Sequence, residues 1–94
     1  MILFPTVMTE WYIYMLHCAD DSLYTGVATD LAARVSKHNA GKGAKYTRGR
    51  RPVVLVYHET AANRAAAQQR EAAIKHLPRE LKWQLVKNTG QRGD

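Results

Sequence analysis

The chain has 94 residues, enough for one domain, with a formal net charge of +6 and a single cysteine, Cys18. One thiol makes no internal disulfide and no cysteine-based metal site, and no apolar run approaches the roughly 18 residues that span a membrane. A disulfide scaffold and a membrane-spanning protein are thereby set aside, and a reducing cytoplasmic setting is expected.

The start, MILFPTVMTEW, has an apolar patch but no basic stretch before it, so it does not read as a signal peptide. Residues 1–9 are expected to be a flexible extension, 10–88 a single domain, and 89–94 a flexible tail. Glu10 to Cys18 alternates in β-type residues with large side chains on both faces. Tyr12, Tyr14 and Leu16 share one face and Trp11, Ile13, Met15 and His17 the other, the pattern of a covered, central strand. Ala19-Asp20-Asp21-Ser22 is turn chemistry, and Leu23 to Val27 completes an antiparallel hairpin. Gly26 lies on the face of Tyr24 and leaves space beside it.

Thr29 or Asp30 can cap a helix from about Asp30 to Asn39, with Gly41 just past its end. Leu31 and Val35 form its apolar pair, and Arg34 and His38 fall on the flank of that stripe. Ala40 to Arg51 holds three glycines and five cations and reads as a flexible basic loop. Pro52 opens a near-continuous β-type run, Val53 to Glu59, expected to be a well-buried third strand. Thr60 to Leu77 is alanine-rich and helical, with Glu71 interrupting the stripe of Ala67 and Ile74. Pro78 ends that helix and starts another, which packs through Leu81, Leu85 and Trp83 or Val86. The order β-β-α-β-α-α defines a small α+β domain, a three-stranded antiparallel sheet flanked by helices.

From Leu31 to His58 there are seven lysines and arginines and no acidic residue. That is the footprint of a polyanion partner or, equally, a solvated basic surface. The tyrosines can be core aromatics, Arg34 and Glu71 a structural ion pair, and His38 a satisfied core histidine. Taken together, they also form the parts list for phosphodiester hydrolysis: an acid for a divalent metal, a base for water, and a cation for the phosphate.

In order and spacing these residues resemble the GIY-YIG nucleases, most closely the small single-domain branch labelled UPF0213. Tyr12-Ile13-Tyr14 stands at the GIY triplet, and Tyr24-Thr25-Gly26 stands at YIG. Arg34 and His38 match the helix positions, HNAGKGAKYTRGRRPVVLVYHE resembles the signature of the small branch, and Glu71 matches the metal-binding glutamate. The resemblance implies a metal-dependent endonuclease acting on DNA, branched or single-stranded forms included, in repair or recombination. Tyr14 and Tyr24 would line the site, one of them positioning or deprotonating water. Arg34 would hold the scissile phosphate, His38 would assist proton transfer or orient a tyrosine, and Glu71 would bind one Mg²⁺ or Mn²⁺ that stays only with substrate. Tyr12 and Thr25 depart from the Gly and Ile of the triplets. Asn88 is the one nearby counterpart of the family's late asparagine, and its place in the pattern is open. With no separate DNA-binding domain, affinity would rest on Lys37, Lys42, Lys45, Arg48, Arg50 and Arg51, with Tyr46 stacking on a base. DNA is favoured over RNA as partner. Two other readings are kept: a non-catalytic nucleic-acid-binding module using the basic stretch 37–51, and an interaction protein docking through its helices.

Overall fold

Trp11–His17 (β1) is the strand on which the others assemble. It pairs antiparallel with Leu23–Ala28 (β2) on one side and Val54–Ala61 (β3) on the other, giving the sheet order β2-β1-β3. The helices are Leu31–Asn39 (α1), Lys45–Arg48 (α2), Arg64–Lys75 (α3) and Arg79–Gln91 (α4). The computed structural model describes residues 10–91, so the expected extension at 1–9 lies outside the described residues, as do 92–94. The expected α+β class and the element order hold, with one turn of helix, α2, added inside the basic stretch.

The two-faced pattern of β1 becomes two cores. Ile13 and Met15 pack with Tyr57, Ala67 and Ile74 under α3, with Leu85 and Val86 of α4 against them. Tyr14, Leu16 and Cys18 pack with Ala28 and Val53 on the α1 side, where Leu31 and Val35 close over them. Ile13, Met15, Leu16 and Ile74 are fully buried, each contributing about 1.5–3 kcal/mol by leaving water. In α4, Trp83 meets the His17 ring edge-on at 5.1 Å between centroids, while Leu81 is exposed and takes no part in the packing face expected of it. Helix α4 also continues through residues 89–91, where a tail was expected.

Three expectations are corrected by pairing. The third strand is an edge strand, with Val54, His58 and Thr60 exposed, because β1 takes the centre and leaves β3 one neighbour. It starts later and runs longer than expected: Ala61 and Thr60, assigned to the helix on composition, pair with Trp11 and Tyr12. A bulge at Val56 shifts the register, so Tyr57 opposes Met15 while Leu55 opposes Leu16. Leu55 and Tyr57 therefore serve opposite cores, which an unbroken period of two would forbid.

Caps set the helix starts. Asp30 accepts from the Ala33 N–H at 3.0 Å, and Asn63 accepts from the Ala66 N–H at 2.8 Å. Asn63 is therefore the cap of α3 and not part of its stripe. Gly41, at φ +80, turns the chain out of α1 in the left-handed region. Beside it, the Asn39 amide clamps the entry to β3: its Nδ2 donates to the Val53 carbonyl at 3.0 Å and its Oδ1 accepts from the Val53 N–H at 2.7 Å. Asn39→Asp replaces the donor with an anion facing a carbonyl. We expect about 1 kcal/mol of destabilisation, or about 4–8 °C in Tm by thermal unfolding. An unchanged Tm would mean that the clamp carries no load.

Candidate active site

The site is built where β1, β2 and α1 meet. Tyr14 sits opposite Gly26 in the β1–β2 ladder, and both side-chain positions point toward α1. A Cβ at Gly26 would lie 2.6 Å from the Tyr14 hydroxyl oxygen. The space that this glycine leaves beside Tyr24 is thus filled by the Tyr14 ring. Tyr14 is 1% exposed and shares a 2.9 Å hydrogen bond with Nε2 of His38, itself 1% exposed. The other ring nitrogen of His38, Nδ1, lies 2.7 Å from Oγ1 of Thr47 in α2.

Tyr24 covers this pair. Its ring centroid is 5.3 Å from that of His38 and 6.3 Å from that of Tyr14. Tyr24 also lines an open cleft of about 310 Å³ with Arg34, Lys37, Lys42, Gly43 and Ala44. Half-buried Arg34 is steadied there by a 3.1 Å bond from Nη1 to the Val27 carbonyl of β2. The Arg34–Glu71 ion pair considered from the sequence does not form. Glu71 pairs instead with Lys75 one turn along α3, at 3.2 Å.

Burial pushes the Tyr14 phenol up to about 12. The Arg34 guanidinium pulls the other way, while Tyr24 and the Glu71 carboxylate add to the rise. Tyr14 is therefore a neutral phenol near pH 7. Burial also lowers the His38 pKa, with the Arg34 and Lys37 charges adding to the fall, so its imidazole is neutral as well. Four of the five catalytic candidates thus come together: Tyr24 and Arg34 face the cleft, and Tyr14 and His38 lie against Tyr24. Glu71 stands on α3, paired with Lys75.

The basic stretch is more ordered than expected. Arg50 donates to Asp20 at 2.9 Å and to the Tyr46 carbonyl at 2.8 Å. Arg51 donates to the carbonyls of Arg48 at 3.0 Å and Asn39 at 3.2 Å. These two arginines hold the stretch folded. Tyr46 stacks on Tyr24 at 5.9 Å between centroids, and the Arg50 guanidinium lies 3.9 Å over its ring. Its aromatic surface is thus already engaged, and stacking on a base would displace one of those contacts. Lys37 and Lys42 open onto the Arg34 cleft, and Lys45 and Arg48 are exposed. Asn88 is exposed on α4.

Two residues that sequence reasoning passed over belong to this site, Thr47 and Gly43. Thr47 is 0% exposed within a segment of exposed cations. A Cβ at Gly43 would press on the His38 ring, 2.8 Å from its Cγ and closer to Nδ1. The signal available was a small residue and a hydroxyl amid cations; no periodicity marks either one.

Among the described residues no three His, Cys, Asp or Glu side chains converge to hold a metal ion. Glu71 is the carboxylate of this cluster. Mg²⁺ commonly binds through one or two carboxylates with waters and substrate phosphates. One half-buried carboxylate on α3 fits that mode and not a preformed cage.

This arrangement of a tyrosine-bearing hairpin, a helix arginine and histidine, and a glutamate on the following long helix defines a class. The GIY-YIG catalytic domain matches residues 10–85, and the chain belongs to the GIY-YIG family. Within it, the relatives carry the UPF0213 name. A UPF0213 protein of Desulfotalea psychrophila is 53% identical over 78 residues, covering 82% of this chain and 71% of that protein. One from Haloquadratum walsbyi is 56% identical over 75 residues, covering 80% and 84%. The solution NMR structure of a UPF0213 protein from Bacillus halodurans is 47% identical, with a TM-score of 0.56 over 86% of each chain. A second NMR structure, of a protein from E. faecalis, is 39% identical, with a TM-score of 0.59 over 87% of this chain and 88% of that one.

Proposed function

We propose that the protein is a metal-dependent endonuclease that hydrolyses phosphodiester bonds in DNA, with little sequence preference. The observation that carries this is the shared cleft: Arg34 and Tyr24 face it together with Lys37 and Lys42, directly in front of the buried Tyr14–His38 pair. Arg34 takes the scissile phosphate, its planar fork bonding two oxygens and stabilising the charge that grows there. Lys37 and Lys42 hold neighbouring phosphates. Tyr24 orients the attacking water through its hydroxyl, and Tyr14 and His38 hold the wall behind it. Glu71 would hold one Mg²⁺ or Mn²⁺ together with water and phosphate oxygens. When bound, such an ion supplies charge for the phosphate and lowers the pKa of a bound water.

The test is cleavage of a panel of labelled single-stranded, duplex and branched DNAs with Mg²⁺ or Mn²⁺. Turnover is expected in the wild type and is expected to vanish in Glu71→Ala, while DNA binding persists. Equal turnover in Glu71→Ala would refute the reading. Salt-dependent binding with no turnover in any protein would replace it with the non-catalytic binding module. The absence of any salt-dependent binding would leave only a protein-docking role. For Arg34, Lys37 and Lys42 each neutralising one phosphate, affinity should fall on the order of 40-fold between 50 and 200 mM salt. A flat salt dependence by fluorescence anisotropy would contradict a phosphate-led interface.

A further inference from the structure

We propose that Thr47 is a positioning residue: it fixes which nitrogen of His38 carries the proton, and so commits the Tyr14 hydroxyl proton to His38 and leaves the phenol oxygen's lone pairs free. The deduction begins at the Ala44 carbonyl, which can only accept. It accepts from the Thr47 N–H at 3.0 Å and lies 2.9 Å from Oγ1 of Thr47, which donates its hydroxyl proton to the same oxygen. Were that proton turned elsewhere, two oxygens would face each other at hydrogen-bonding distance with nothing between them. With its one proton committed, Oγ1 of Thr47 can only accept at 2.7 Å from Nδ1 of His38. Nδ1 therefore carries the imidazole proton.

The second nitrogen follows. In a neutral imidazole one nitrogen is protonated and the other is not. Nε2 is then the bare acceptor, and the 2.9 Å bond runs from the Tyr14 hydroxyl to it. The phenol proton points at His38, and the phenol lone pairs are left for the opposite side. The reverse tautomer would make Tyr14 accept from Nε2 and release its own proton from His38. Ala44, Thr47, His38 and Tyr14 thus form a one-way chain of hydrogen bonds whose last member keeps its lone pairs free. Gly43 lets this chain close, since a Cβ there would press into the His38 ring.

The hydrogen-bond direction stands on the distances around His38 and on its burial as a neutral ring; its consequence for cleavage rests on the nuclease reading. The two are separated by using two readouts. The first is long-range ¹H–¹⁵N correlation NMR on the intact wild-type chain. A protonated, pyrrole-like Nδ1 and a bare Nε2 are expected for His38, with a cross-relaxation peak between Hδ1 of His38 and the Thr47 side chain. Thr47→Ser should keep that pattern. Thr47→Val removes the acceptor and should move the proton to Nε2. The proposal is overturned by a protonated Nε2 in the wild type, or by an unchanged tautomer in a folded Thr47→Val. Should Thr47→Val not fold, the wild-type tautomer and the Hδ1 peak decide: their presence supports the proposal and their absence ends it.

The second readout is single-turnover cleavage. Thr47→Val should lower the rate by about 10–100-fold with KM little changed, and Thr47→Ser should restore it. If the wild type does not cleave, the nuclease reading fails and the tautomer result still stands or falls by itself. If the wild type cleaves and a folded Thr47→Val with a switched tautomer cleaves equally well, the positioning role is wrong.

Discussion

Replacing Arg34 with alanine is expected to lower the rate of DNA cleavage about 10²–10³-fold, the usual loss when one preorganised donor to a developing oxyanion is removed. The expectation rests on position. Arg34 is the arginine of the cleft that also holds Tyr24, Lys37 and Lys42, and it is half-buried, so its charge acts where water screens it less. The fold should survive. Among the described residues Arg34 gives one hydrogen bond, to the Val27 carbonyl, and its loss should cost about 0.5–1.5 kcal/mol. The measurement is single-turnover cleavage beside a thermal melt of the same preparation. Arg34→Lys restores the charge without the planar fork and should recover only part of the rate. A fully active Arg34→Ala would remove the phosphate-binding role altogether.

Gly26→Ala should damage both stability and activity. The new methyl would meet Tyr14 Oη at 2.6 Å, Cζ at 2.7 Å and Cε2 at 3.0 Å. The ring has nowhere to go: Tyr14 is packed among Leu16, Cys18, Ala28 and Val53 and is tied to His38. Overpacking of this kind costs about 1–3 kcal/mol, or on the order of 10 °C in Tm for a domain of this size. It also pushes the phenol off His38, so cleavage should fall along with Tm. Two controls separate the cause from a general intolerance of alanine. Gly49→Ala has nothing within 4 Å of its added Cβ and should be close to neutral. Tyr14→Phe in the Gly26→Ala background removes the Oη contact but leaves the one to Cζ, so Tm should recover in part. A Gly26→Ala protein that melts with the wild type would mean that Tyr14 is held less tightly than the packing indicates.

Which features could be read from the sequence follows from how local they are. The two-faced β1, the Asp30 cap and the Gly41 turn depend on a few adjacent residues, and each stands where its chemistry put it. The edge position of β3, the Val56 bulge and the pairing of Ala61 with Trp11 depend on contacts about 40 to 50 residues apart in the chain, and alanine-rich composition argued the other way for the last of them. The same division runs through the site. Tyr14, Tyr24, Arg34, His38 and Glu71 stood out as polar groups breaking an apolar pattern and then as members of a motif. Thr47 broke no pattern, because a threonine among lysines and arginines is what a surface loop should contain. Its function comes from the turn of α2 that buries it against His38, and that turn is held by Arg50 and Arg51, which composition assigned to nucleic acid. The glycine beside Tyr24 was read correctly as spare room, but cross-strand register decided that Tyr14 would fill it.

The measurement that bears most directly on the proposed chemistry is a crystal structure of the protein with Mn²⁺ and a short DNA whose scissile phosphate is a non-hydrolysable phosphorothioate. One anomalous manganese peak is expected on the Glu71 carboxylate, shared with a phosphate whose oxygens are held by Arg34, with Tyr24 in front of it and Tyr14 still bonded to His38. Manganese bound elsewhere, or DNA seated on the basic stretch with its phosphates away from Arg34 and Glu71, would contradict it.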